Sequence, residues 1–318
     1  MPWLSELFAN AQGGLFESVL QPLLFALGMG NLLPEAFEAT GWLLMGLIQI
    51  GVLLALIAPL QRWRPVEAPA PWSALRVDVL YTLIHRLGLF RLGLFFAIEP
   101  LFDALSGTLH TLGWHPWQLD ALWPGVTDTP WVSFAMYLVV LDAVNYAIHR
   151  AQHTWNWWWQ LHALHHAQRH VTAWSDNRNH LLDDVLRALI FAAVAQAIGI
   201  APGQYMALVA LTQLLESLQH ANLRLDFGRW GERLLISPRF HRRHHAIGLG
   251  HETQPGARLG GHNFGVLFPW WDMALGSADF SPGYAATGVR DQVEQGRDYG
   301  QGFWAQQWLG VLRLFDKA

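Results

Sequence analysis

Residues 149–166 read HRAQHTWNWWWQLHALHH and place five histidines within 18 positions. His149 and His153 stand four apart, while His162, His165 and His166 stand at i, i+3 and i+4. On a helix each spacing gathers its imidazoles on one face, close enough to share an ion. Further on, residues 240–245 read FHRRHH, so His241, His244 and His245 repeat the HxxHH pattern. Imidazole is the commonest protein ligand for metals such as iron and zinc. A lone histidine is usually a surface or core residue. Three groups at ligand spacing point to metal binding.

Composition sets the surroundings of these groups. The chain has 318 residues, 52% hydrophobic and 14% charged, against about 25% charged in an ordinary soluble domain. It has no cysteine, which excludes disulfides, thiolate-ligated haem and cysteine-ligated iron–sulfur clusters. Its single lysine is Lys317, and no basic patch with interleaved aromatics occurs, so no nucleic-acid partner is expected. The 18 tryptophans suit a chain that meets membrane–water interfaces.

Residues 41–60, GWLLMGLIQIGVLLALIAPL, carry no charge and are long enough to cross a hydrocarbon core. Arg62 and Arg64 follow, which places that end in the cytoplasm under the positive-inside bias. Residues 14–33 read as an interfacial amphipathic helix, with a partial span as the alternative. A second apolar stretch, 79–105, contains His85, Arg86 and Arg91, and His85 and Arg86 read as snorkelling near the cytoplasmic end. The arginine-free loop 106–130 then falls on the periplasmic side of a bacterial inner membrane, and 131–148 crosses back to deliver His149 to the cytoplasmic face. The segments 185–199 and 205–218 are short for full spans and suggest a hairpin, about 185–220, that dips into the bilayer and returns. An amphipathic helix over 303–315 ends the chain. The expected fold is an all-α integral-membrane bundle with a cytoplasmic-side, histidine-rich di-metal cap. Its division is 1–130 for N-terminal membrane segments and 131–318 for the di-metal domain.

Asp142 and Asn145 lie seven and four residues before His149, on its helical face. A carboxylate in a span is costly unless paired, so Asp142 is expected to support an imidazole. Asp183, Asp184, Glu216 and Asp272 are further acids placed to fix imidazole tautomers.

From Asp142 to Ser277 the chain resembles the fatty acid hydroxylase / sterol desaturase superfamily of integral-membrane non-haem di-iron enzymes. The resemblance rests on an ordered set: Asp142 in a span, HRAQH, HALHH, the RNH step at 178–180, QHAN at 219–222 after a hairpin, HRRHH, and NFG…WWDMALGS. Leu275 and Ser277 stand where the family usually has Phe and Thr. The resemblance implies two iron ions bound almost wholly by histidine. It adds His180 and His220 to His149, His153, His162, His165, His166, His241, His244 and His245 as metal ligands. It also marks Asn222 and Asn263, beside Asp272, as residues supporting the site. His170, His251 and His262 match no ligand position.

The implied activity is O₂-dependent hydroxylation of an unactivated C–H bond in a membrane lipid: a fatty acyl chain, an ether lipid or a sterol-like molecule. Desaturation at the same centre is the alternative. Electrons must come from outside, from a ferredoxin or cytochrome-type donor docking near Arg239, Arg242 and Arg243, or from a reduced pterin. A zinc hydrolase is disfavoured because no HExxH occurs and the histidines are too many for one zinc. A metal transporter would hold its ligands at mid-membrane in broken helices, not at span ends. An inactive relative is the remaining non-enzyme reading.

Overall fold

The computed structural model describes residues 2–247 and 260–317. Among these, regular structure is helical, with one isolated antiparallel bridge between Ala246 and Thr287. The all-α expectation therefore holds.

Helix α1 (Pro2–Leu15) passes through a π-helical turn, Phe16–Leu20, into α2 (Gln21–Ala26). The 14–33 stretch is not one helix, because Gly28 turns the chain at φ 71°. Helix α3 (Leu33–Val52) continues through a second π-helical turn, Leu53–Ile57, into α4 (Ala58–Trp63). Each π-turn directly precedes a helix that carries proline near its start, Pro22 or Pro59. Proline lacks the N–H that an unbroken i→i−4 ladder needs, and the wider turn absorbs that loss.

The 79–105 stretch is not a single span. Helix α5 (Trp72–Arg86) ends at Gly88, φ 80°, and α6 (Leu89–Ala97) departs at 53°. Helix α7 (Glu99–Thr111) follows, so the expected loop 106–130 is helical over its first residues. Arg86 does not snorkel. It is 4% exposed and donates to Asp176, Gln213 and Ser217, fastening α5 to the later helices. Gly46 permits this approach, since a Cβ there would collide with the Arg86 carbonyl. His85 instead pairs with Asp184 at 3.3 Å.

Helix α8 (Pro130–Thr154) starts on proline and runs 25 residues, past the expected 148, so it carries both His149 and His153. Exposed Trp131 and Trp155 mark its two ends, as interfacial anchors do. After a corner at Trp155, α9 (Asn156–His166) carries the next three histidines. Helices α10 (Leu181–Ile198) and α11 (Pro202–Gln219) form the hairpin and turn at Gly199, φ 68°. Short helices α12 (Gly228–Gly231), α13 (Pro238–His244), α14 (Trp270–Leu275) and α15 (Arg290–Glu294) complete the cap. Helix α16 (Phe303–Leu314) packs on α9, and its buried Arg313 donates to the Gln160 carbonyl.

By length and composition two helical stretches can cross a membrane, Gly30–Trp63 and Pro130–Thr154, or three if the bent pair α5–α6 counts as one. Neither arm of the hairpin is among them. A large apolar surface remains outside, including Leu47, Ile48, Leu54, Leu56, Phe96 and Leu101.

Candidate metal centre

Nine of the ten histidines expected as ligands converge. His149, His153, His162, His166 and His244 form one group; His165, His220, His241 and His245 form another. Within each, the available nitrogens lie within 4.8 Å of one another, and all nine side chains are buried. The Nε2 atoms come close: His244 to His166 at 3.1 Å, His220 to His165 at 3.1 Å, and His241 to His220 at 2.9 Å. The groups adjoin where the rings of His166 and His245 stack at 4.3 Å.

Local sequence explains the convergence. His149 and His153 are one turn apart on α8, and α9 folds back across that face at the Trp155 corner. Ser237 caps α13 by accepting from the Phe240 amide, which sets the register of His241, His244 and His245. His220 ends α11.

Four rings are oriented through Nδ1. His149 donates to the Phe264 carbonyl, His244 to the His262 carbonyl and His220 to the Glu216 carbonyl, each at 2.8 Å; His162 donates to Asp183 at 3.1 Å. This leaves Nε2 of each toward its group, the arrangement usual for metal-binding histidine. His162 Nε2 is buried without a hydrogen-bond partner among the described residues. Asp183 also accepts from Gln152 at 2.7 Å and from the Trp158 indole at 2.6 Å, so its carboxylate is fixed on three sides.

The other polar residues divide by what they touch. Among the described residues Asp142 makes no hydrogen bond to an imidazole. It accepts from the Leu267 and Phe268 amides and the Trp271 indole, clamping the 264–271 loop to α8. That loop carries the Phe264 carbonyl that orients His149, so Asp142 acts at one remove. Asp272 accepts from the Phe264 and Gly265 amides. Asn263, at φ 60°, donates to Phe240 and Asp279 and accepts from the Asp279 amide. Gly265 has no room for a Cβ. Asn222 ties the Val66–Glu67 backbone to the end of the hairpin. Glu216 orients His220 by its backbone carbonyl, not its carboxylate. Asn145 lines the space in front of His149 and His162.

His180 is not gathered into either group. It is the N-cap of α10: Nδ1 accepts from the Leu182 amide and Nε2 donates to the Gln307 carbonyl. Gly310 packs directly against its ring. Both nitrogens are engaged away from the cage. The three arginines expected at a donor surface are also engaged: Arg239 with Glu232, Arg242 with Glu67 and the Ala285 carbonyl, and Arg243 with Asp279. His262 lies within the described residues, where only its carbonyl serves the site; His251 lies outside them.

Burial, reinforced by neighbouring histidines, holds His165, His241 and His245 well below the usual imidazole pKa. They are neutral at pH 7 and present lone pairs, as metal ligation requires. Nine imidazole nitrogens suit iron or zinc, and not the oxygen-seeking magnesium or calcium. Sequence spacing did not reveal the backbone carbonyls that fix His149 and His244. Nor did it single out Trp159, whose ring packs on His153 at 5.1 Å and His166 at 5.4 Å. Its place three residues before His162 was the available clue.

The fatty acid hydroxylase family profile matches residues 134–277, the segment that carries all nine converging histidines. A Delta(7)-sterol 5(6)-desaturase of Aspergillus fumigatus is 28% identical over 192 residues, covering 51% of this chain and 56% of that protein. An alkylglycerol monooxygenase of Caenorhabditis elegans is 26% identical over 143 residues, covering 45% of this chain and 27% of that protein. The chain thus spans about half the length of the first relative and about a quarter of the second. No solved structure matches it. The family profile and the two relatives support a placement of residues 134–277 in the fatty acid hydroxylase / sterol desaturase superfamily. The family match and the long apolar helices point to an integral membrane protein.

Proposed function

We propose that this chain is an O₂-dependent lipid hydroxylase whose two histidine groups each hold one iron ion. The observation that carries the reading is the pairing of two buried, all-imidazole groups beside a largely apolar cavity of about 470 Å³. Iron bound there would supply dioxygen activation and the one-electron chemistry that breaks an unactivated C–H bond.

The chain's own residues do the rest. His149, His162, His220 and His244 are held in the Nδ1–H tautomer by fixed acceptors. The 264–271 loop, pinned by Asp142 and Asp272, closes over the cage and restricts water. The cavity takes an apolar substrate from the bilayer between α6, α7 and the two hairpin arms. Electrons come from an external donor of ferredoxin, cytochrome or reduced-pterin type. The cage faces the cytoplasm, at the end of α8 opposite the arginine-free loop 106–130. Residues 131–318 form the di-metal domain, with 1–130 as its membrane-embedded support.

Desaturation is the second reading, favoured by the named activity of the Aspergillus fumigatus relative. Both begin by removing hydrogen from carbon. The test supplies ¹⁸O₂, a reductant system and membrane lipid to the iron-loaded protein. A hydroxylase gives lipid alcohol carrying ¹⁸O; a desaturase gives an alkene without it. Unlabelled, unchanged lipid under every donor refutes both.

A further inference from the structure

The large cavity is not uniformly apolar. Its outer part is walled by Leu94, Ile98, Phe102, Leu138, Phe191 and Leu208, from α6, α7, α8 and both hairpin arms. Its inner end meets a small space walled by His149, His162, His165, His220 and His241. The two spaces share Asn145, Asp176, Asn179, Arg187 and Glu216, which therefore form the neck between lipid cavity and histidine cage.

Most acids around this neck are already satisfied. Asp176 accepts from Arg86 and Ser217, Asp184 faces His85, and Asp142 holds the closing loop. Four side chains differ. Among the described residues, Arg187, Glu216 and Asn145 make no side-chain hydrogen bond or ion pair within 4 Å. The Asn179 amide donates to Asp176, but its Oδ1 is buried without a partner in a residue only 5% exposed. Buried polar groups are ordinarily paired. An unpaired donor and unpaired acceptors at one constriction leave room for a ligand that is both acceptor and donor.

We propose that the neck formed by Asn145, Asn179, Arg187 and Glu216 is a specificity subsite that seats the hydroxyl group of an uncharged amphipathic lipid. Arg187 donates to the hydroxyl oxygen, and the hydroxyl hydrogen is given to Glu216 or Asn179 Oδ1. A carboxylate headgroup has no hydrogen to give Glu216 or Asn179 Oδ1 and would leave these acceptors unpaired, so a hydroxyl is preferred. The tail fills the apolar outer cavity. Because the neck adjoins the cage, the carbon presented for oxidation lies within a few bonds of the seated oxygen, not in mid-chain. This substrate class rests on the lipid-oxidation reading of the site; the subsite itself is testable without turnover.

The test uses the full-length protein loaded with redox-inert zinc in detergent, titrated with hexadecan-1-ol, hexadecane and hexadecanoate. Two or more hydrogen bonds predict that the alcohol binds at least about tenfold tighter than the alkane, with the carboxylate weaker than the alcohol. Arg187→Met and Glu216→Leu should each bring alcohol and alkane to near-equal affinity with alkane binding unchanged. Arg187→Lys should restore part of the preference, which a general loss of structure would not allow. Zinc content equal to wild type checks that each variant has kept its cage. Equal binding of alcohol and alkane by the wild-type protein overturns the proposal, whether or not the variants fold. So does a preference that survives both substitutions. If the alcohol preference is found but no lipid is ever oxidised, the subsite stands and the oxygenase reading fails.

Discussion

The two histidine groups are held by different means. In the five-membered group, His149, His162 and His244 each give Nδ1–H to an acceptor outside the group: the Phe264 carbonyl, Asp183 and the His262 carbonyl. In the four-membered group only His220 does so, while Nδ1 of His165, His241 and His245 is buried without a partner among the described residues. The first group is preorganised by α10 and the closing loop. The second depends more on contacts among its own rings, and three of its members face the neck that opens to the lipid cavity. His149 and His162 of the first group wall the same space, so both groups face the neck, and the second does so with fewer fixed supports.

That contrast can be broken from either side. The largest effect is expected from His165→Ala, which removes a ligand from the less supported group. Metal content should fall by about one ion per chain and lipid oxidation to background, with membrane insertion unchanged. Metal analysis beside ¹⁸O product detection checks this, and surviving turnover would remove His165 from the ligand set. Next comes Asp183→Ala, which frees the His162 ring. It should weaken metal binding at the first group by about 10–100-fold and leave the second group near its wild-type affinity. Competition with a graded series of chelators resolves the two.

A third prediction concerns pH. In the metal-free protein, His165, His241 and His245 have folded pKa values below the unfolded value of about 6.5. The unfolded chain then binds more protons, so their contribution is complete above about pH 6.5 and is lost as pH falls toward the folded values. Each histidine contributes a slope of about 1.4 kcal/mol per pH unit in that window. Thermal unfolding of metal-free protein should show a Tm that is level from pH 7.5 to about 6.5 and falls steadily from there to pH 5, and metal-loaded protein a later and steeper loss. A Tm indifferent to pH would contradict neutral buried rings. The smallest effect is expected at His180. His180→Asn keeps a capping acceptor for α10, so it should cost no more than about 1 kcal/mol and leave metal content unchanged. Loss of an ion would instead place His180 in the cage.

Much of the site was legible because helical spacing is a local property. HRAQH, HALHH and HRRHH encode faces, and eight of the nine converging histidines follow from those spacings alone. His220 came through the family resemblance, and so did His180, which the fold uses otherwise. Its neighbour Gln307 lies 127 positions away, and such a contact leaves no periodic trace. Asp142 illustrates the same limit. Its cost in a span announced a partner, but the partners are amides of a loop some 125 residues downstream. The helical class and the α8 crossing were readable from apolar runs. The bend at Gly88 was obscured because hydrophobicity continues through it, and only the positive φ at that residue reveals the break. Arg86 read as snorkelling for a similar reason. Nothing local shows that Asp176, Gln213 and Ser217 come to meet it.

The central claim is that the two histidine groups form one two-metal centre. It is tested most directly by iron analysis and Mössbauer spectroscopy on protein purified anaerobically after iron-replete expression, then oxidised. Two iron ions per chain, one for each group, in a magnetically coupled pair is the predicted result. A single uncoupled iron, or no redox metal after such loading, would contradict it.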